Sequence, residues 1–174
     1  GLGIDTTIAG SVVGTYWFLM LIGRLFGASI AARVSSRSML GFTASLAGLF
    51  VAISIILPDS ILVNMPVITN ELSINLANVP AKIMLLTLCG LCTSVMWGGI
   101  FNLAVEGLGK YTEAASGIFM TLVCGGGVLP LIQGALADAT SYMASYWLVV
   151  ACTVYLLFYA TIGYKNVNKD IPVE

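Results

Sequence analysis

Residues Ile83–Val105 read IMLLTLCGLCTSVMWGGIFNLAV, an unbroken apolar run without a single charged side chain. Wound as an α-helix it would reach roughly 34 Å, enough to cross a hydrocarbon core of about 30 Å. A strand half-exposed to lipid would alternate apolar and polar residues at every second position, and this run does not, so a transmembrane barrel is excluded. Working outward, four more runs have the same character: 11–32, 39–57, 114–137 and 143–163. Between the second run and Ile83 lies a polar connection, Asp59 to Pro80, carrying Asn64, Asn70, Glu71, Asn75 and Asn78. A short polar tail, Lys165 to Glu174, closes the chain. The expected fold is an all-α membrane protein of about five transmembrane helices.

Composition agrees. Of 174 residues, 59% are hydrophobic and 9% charged, with mean hydropathy +1.00. Soluble domains carry about 25% charged residues, so the apolar surplus here must face lipid. A net charge of −1 leaves no basic stripe to neutralise phosphates, which argues against a nucleic-acid partner. The absence of histidine removes the commonest general base and the commonest metal ligand. No nucleophile–base constellation presents itself, so the chain reads as a non-enzyme without metal or cofactor. Cys89, Cys92, Cys124 and Cys152 all sit inside apolar runs, and the Cys89-x-x-Cys92 pair reads as neighbours on one helix face, packed as small residues.

Basic residues set the expected orientation. Arg33 and Arg37 follow the first run, Lys110 the third, and Lys165 and Lys169 the fifth, all on one side; the other side carries only Lys82. This predicts Gly1 outside and Glu174 in the cytoplasm. An odd number of spans that starts outside with no charged leader predicts at least one further helix upstream of Gly1, in keeping with a chain that does not begin at methionine.

Within the spans, Gly10/Gly14 and Gly23/Gly27 form G-x-x-x-G pairs, and Gly125-Gly126-Gly127 precedes Pro130 and Gly134. Two readings stand: close helix packing, or a pliable helix that bends during transport. Arg24 is the one charge well inside a run, and either faces a cavity or an ion-pair partner or snorkels toward the headgroups. Trp97 lies near mid-depth, where tryptophan is not normally placed, with Thr93 and Ser94 on its face and Asn102 about 140° around the helix. A flat ring beside hydroxyls and an amide suits a sugar; interhelical packing with hydroxyls bonded back to carbonyls is the plain alternative. The adjacent Gly98-Gly99 loosens the helix there. No carboxylate sits at mid-depth, because Glu106, Glu113 and Asp138 all lie at run ends, so a proton-coupling acid would lie outside this chain.

Four segments carry a family resemblance. They are Tyr16-Trp17 with Gly23-Arg24-x-x-Gly27 and Arg33; Met96 to Leu103; Gly107-Leu108-Gly109-Lys110-Tyr111-Thr112 leading to Ser116-Gly117; and Gly125-Gly126-Gly127 through Pro130, Gln133, Gly134 and Asp138. In this order they resemble the fucose permease and glucose/galactose permease branch of the major facilitator superfamily, along nearly the whole chain. Helices eight to twelve of twelve would correspond, so that residues 1–174 form a C-terminal half-domain of six helices lacking its first. The resemblance implies a monosaccharide–proton symporter of the inner membrane, with sugar, proton, lipid and the missing N-terminal half as partners. It places Trp97 as the sugar-stacking aromatic and Asn102 on the cavity side. Where the family pattern has Pro-Thr and Ser, this chain has Gly98-Gly99 and Asn102, so kink and polar contact differ. The expected substrate-binding set is Tyr16, Arg24, Thr93, Ser94, Trp97 and Asn102; the flexibility or packing set is Gly23, Gly27, Gly98, Gly99, Gly125, Gly126, Gly127 and Pro130. An exporter of apolar compounds and a non-transporting five-span scaffold are the competing readings.

Overall fold

The computed structural model describes residues 4–69 and 73–165. Its elements are α1 (Thr6–Ala31), α2 (Ser36–Ile56), β1 (Leu62–Ile68), β2 (Ile74–Pro80), α3 (Ala81–Val105), α4 (Thr112–Leu122), α5 (Gly125–Ala139) and α6 (Trp147–Phe158). Short 3₁₀ turns precede α4 and α6, and a π-turn, Tyr159–Gly163, extends α6. Among the described residues five helical stretches are long and apolar enough to span a membrane: Thr6–Ala31, Ser36–Ile56, Ala81–Val105, Gly109–Ala139 and Ala144–Gly163. The chain is a multi-pass membrane protein, as its apolar runs require.

Helix α1 begins at Thr6, ahead of the apolar run, because Asp5 caps it: the Thr7 amide donates to Asp5 Oδ1 at 2.8 Å. That bond holds the Asp5 carboxyl below its usual range. Ser35 does the same for α2, its Oγ accepting from the Ser38 amide at 3.2 Å.

The polar connection from Asp59 to Pro80 is not irregular. It folds as an antiparallel hairpin in which Asn64 faces Asn78 and Met65 faces Ala77. Alternation explains it: Met65, Val67, Ala77 and Val79 are buried and pack against Ile8 and Val12 of α1 and Ile83 and Met84 of α3, while Asn64 and Asn78 point away and Asn75, opposite Val67, is exposed nearer the tip. The Ile68 amide donates to Thr15 Oγ1 at 2.9 Å, pinning the hairpin to α1. At its base the buried Lys82 ammonium pairs with Asp59, and Ser54 Oγ donates to the Lys82 carbonyl at 2.9 Å. Asn70 and Glu71 lie outside the described residues, as do Gly1 and Lys169.

The core is the seam of α2, α3 and α6: Leu40, Ala44, Ala47, Cys92, Met96, Leu103 and Ala160. Cys89 and Cys92 are buried free thiols. Small residues let α1 close on α3. A methyl group at position 23 would collide with the Ser94 side chain, and one at position 27 with Val95. Gly99 is snug against Leu40 and the Ser36 carbonyl oxygen, at 3.4 and 3.6 Å from an added Cβ. Gly98 and Gly125 to Gly127 face open space. The fourth span changes winding at Val123 and Cys124, whose amides reach back three residues to Met120 and Thr121 at 3.3 Å. Pro130 lies one turn beyond Gly126 and cannot donate to its carbonyl. Large apolar side chains point outward from α1, α4 and α5, Phe26 at 66% and Leu131 at 75% exposure.

Candidate functional site between the first and third spans

Halfway along α3, the helix carries Gly90, and an added Cβ there would stand 2.6 Å from the Tyr16 carbonyl oxygen and 3.1 Å from its ring. Only glycine allows the α1 backbone this close. The approach brings the Tyr16 hydroxyl to 3.1 Å from Thr93 Oγ1. Thr93 spends its own proton on the helix, on the carbonyls of Cys89 at 3.1 Å and Gly90 at 3.3 Å, so Tyr16 is the donor and Thr93 the acceptor. The Tyr16 oxygen keeps its lone pairs free for another donor. A neutral hydroxyl pair is thereby fixed at mid-depth of two spans.

The pair closes the deep end of a cavity of about 480 Å³ that runs toward the hairpin end of the helices. Its walls come from Val12 and Val13 of α1, Ile83, Leu86 and Thr87 of α3, and Tyr142, Met143 and Tyr146 ahead of α6. Tyr142 and Tyr146 stand one turn apart with ring centroids 6.0 Å from each other. No charged side chain lines it among the described residues. A chamber with aromatic and aliphatic walls and a few fixed hydroxyls suits a neutral polyhydroxylated molecule: apolar faces cover its C–H surfaces and the hydroxyls fix its orientation.

Of the six expected site residues, the structure brings Tyr16 and Thr93 together. Ser94 is buried against Gly23 and donates to the Leu91 carbonyl at 2.5 Å, which makes it a packing residue of the α1–α3 seam. Trp97 lies one turn beyond Thr93, outside the cavity wall, and is 45% exposed; its ring meets Phe119 of α4 edge-on at 5.4 Å, and Phe101 meets the same ring at 5.5 Å. Asn102 is nine residues and about 13 Å from Thr93 along the helix, at the opposite end, where its Nδ2 donates to Ser36 Oγ at 3.4 Å. Arg24 is exposed and does not line this cavity; its Nη2 lies 3.9 Å from Met20 Sδ.

Four contributors escaped the sequence reading. Gly90 sits between the two cysteines of the C-x-x-C and marks the closest helix approach. Thr87 lies two turns before Thr93. Tyr142 and Tyr146 form an i, i+4 tyrosine pair at the head of the last span, which is itself a one-face signal.

No family model matches the chain, and no solved structure matches it. It is similar to a glucose/galactose transporter of Brucella abortus, 30% identical over 164 residues, which cover 94% of this chain and 35% of that protein. A putative glucose/galactose transporter of Helicobacter pylori is 27% identical over 170 residues, 95% of this chain and 37% of that protein. The chain thus spans about a third of the length of these curated relatives.

Proposed function

We propose that this chain is the C-terminal portion of a secondary transporter that carries a monosaccharide of the glucose, galactose or fucose type across the inner membrane. The observation that carries the reading is the mid-depth Tyr16–Thr93 hydroxyl pair at the end of an uncharged, tyrosine-walled cavity. The similarity to proteins named glucose/galactose transporter supports it. In this reading the chain is most of a six-helix half of a major facilitator protein, with Gly1 outside and the Arg33, Arg37, Lys110 and Lys165 end in the cytoplasm. Tyr16, Thr93 and Thr87 hold sugar hydroxyls. Trp97, one turn beyond Thr93 on the same face of α3 and half-exposed, lies outside this cavity and stacks on the sugar as it passes beyond the Tyr16–Thr93 pair. Gly98-Gly99 and the Gly125 to Pro130 segment supply the bending that alternating access needs. Proton symport draws its carboxylate from residues outside this chain.

The test is counterflow of labelled galactose by the full-length protein in proteoliposomes. Tyr16→Phe and Thr93→Val each lower it about tenfold, the loss of one buried neutral hydrogen bond with its partner left unpaired, and Trp97→Ala abolishes it at normal expression. Unchanged counterflow in all three variants sinks the site assignment.

A second reading has one observation in its favour: the cavity wall is mostly aliphatic and aromatic, which also suits an exporter of apolar compounds. Failure of glucose, galactose and fucose to compete for transport would favour that reading.

A further inference from the structure

Tyr16 of α1 and Thr87, Cys89 and Thr93 of α3 are polar side chains that line the cavity of about 480 Å³. Each carries one proton, and each proton already has a place within the protein. Thr87 Oγ1 donates to the Ile83 carbonyl at 2.8 Å, one turn back along α3. Cys89 Sγ donates to the Leu85 carbonyl at 3.5 Å. Thr93 Oγ1 donates to the carbonyls of Cys89 and Gly90 at 3.1 and 3.3 Å, and accepts from the Tyr16 hydroxyl at 3.1 Å. The amides of α3 from Leu86 to Thr93 are taken by the preceding turn of the helix. Toward the cavity this wall therefore offers lone pairs and no hydrogen. The wall ahead of α6 differs. Tyr142 and Tyr146 bring two phenol protons to it, and a bond between the two hydroxyls would use only one.

We propose that the α1–α3 wall recognises its sugar solely as a hydrogen-bond donor, and that Thr93 sets this polarity by fixing the proton of Tyr16. The inference rests on the monosaccharide reading above and adds which atoms of the sugar are read. A ligand hydroxyl held by Tyr16 or Thr93 must turn its own hydrogen toward the wall. A group that accepts without donating, such as a C–F bond, meets only lone pairs there and gains nothing over a plain C–H. Thr93 is a positioning residue for the phenol. With valine in its place the Tyr16 proton has no partner in the wall and turns to the ligand, so that the wall donates.

Competition for labelled-galactose counterflow by the full-length protein in proteoliposomes tests it, comparing the deoxy and fluorodeoxy galactoses at each ring position. Fluorine keeps the acceptor character of the lost hydroxyl and lacks only its hydrogen. In the wild type, removing the hydroxyl weakens competition about two- to tenfold at one position or more, and there the fluorodeoxy sugar competes no better than the deoxy sugar. Thr93→Val separates the two at that position, the fluorodeoxy sugar now competing at least about twofold better, although counterflow by this variant is weaker throughout. Thr93→Ser, which keeps a hydroxyl at the same place on the helix, retains the wild-type pattern. A merely structural role for Thr93 would shift all competitors together. Fluorodeoxy sugars that recover competition wherever the deoxy sugars lose it overturn the proposal, as does a Thr93→Val variant in which the two remain equal. Absence of galactose counterflow in the wild type overturns the monosaccharide reading and this inference with it; with that counterflow intact, the comparison bears on the polarity of the wall alone.

Discussion

Gly90→Ala is the most searching single-atom test of the packing that builds the mid-depth site. The added methyl would stand 2.6 Å from a backbone oxygen of α1 and 3.1 Å from the Tyr16 ring. A carbonyl oxygen on a helix cannot swing aside as a side-chain tip can, so α1 itself must retreat. Overpacking of this kind costs about 1–3 kcal/mol. The retreat also stretches the Tyr16–Thr93 bond, already 3.1 Å, and its loss adds about 0.5–1.5 kcal/mol. Gly98→Ala is the matched control: it lies on the same helix, where an added Cβ meets nothing within 4 Å, and removing a mid-helix glycine stabilises by about 0.5–1 kcal/mol. The assay is equilibrium unfolding of the purified chain in mild detergent by SDS titration, followed by fluorescence of Trp17, Trp97 and Trp147. Gly90→Ala moves the midpoint down and Gly98→Ala leaves it level or raises it. Equal midpoints for the two variants would refute the close approach of α1 to α3 at Tyr16.

The hairpin base gives a second expectation. Asp59→Asn strands the buried Lys82 ammonium and destabilises by about 1–2 kcal/mol, the usual cost of breaking a buried pair discounted for the exposure of Asp59, whereas Lys82→Met costs less because no unpaired charge remains; the reverse order in the same SDS titration contradicts it. The cap of α1 gives a third. The Asp5 carboxyl titrates below its unfolded value, so its stabilising effect is complete above the unfolded pKa of about 4 and disappears as pH falls through the folded value. Hydrogen exchange of the first turn of α1 accelerates only in that acid window, beyond the intrinsic pH dependence, and Asp5→Asn removes the extra acid step.

The spans were legible because a bilayer imposes one demand, about 20 apolar residues with every backbone group bonded internally, and that demand is local. Helix α1 starts earlier than its apolar run because a polar cap, not hydropathy, sets where a helix begins. The hairpin was hidden by its asparagines: read as a list they look like a loop, yet Met65, Val67, Ala77 and Val79 alternate with Asn64, Pro66 and Asn78 at the period of a strand. The site was only half legible. Thr93 and Tyr16 stand 77 positions apart and meet only because Gly90 lets the helices touch, a tertiary fact without a local signature. Trp97 and Asn102, five residues apart, share a face too loosely to share a site; the helix turns one toward Phe119 and the other toward Ser36.

Titration calorimetry of galactose into the full-length protein tests the mid-depth site most directly, since binding precedes any conformational cycle. The wild type binds, and Tyr16→Phe combined with Thr93→Val weakens binding at least about tenfold, while Ser94→Ala, at a packing residue outside the cavity, changes it little. Undiminished galactose affinity in the Tyr16→Phe, Thr93→Val double variant contradicts it.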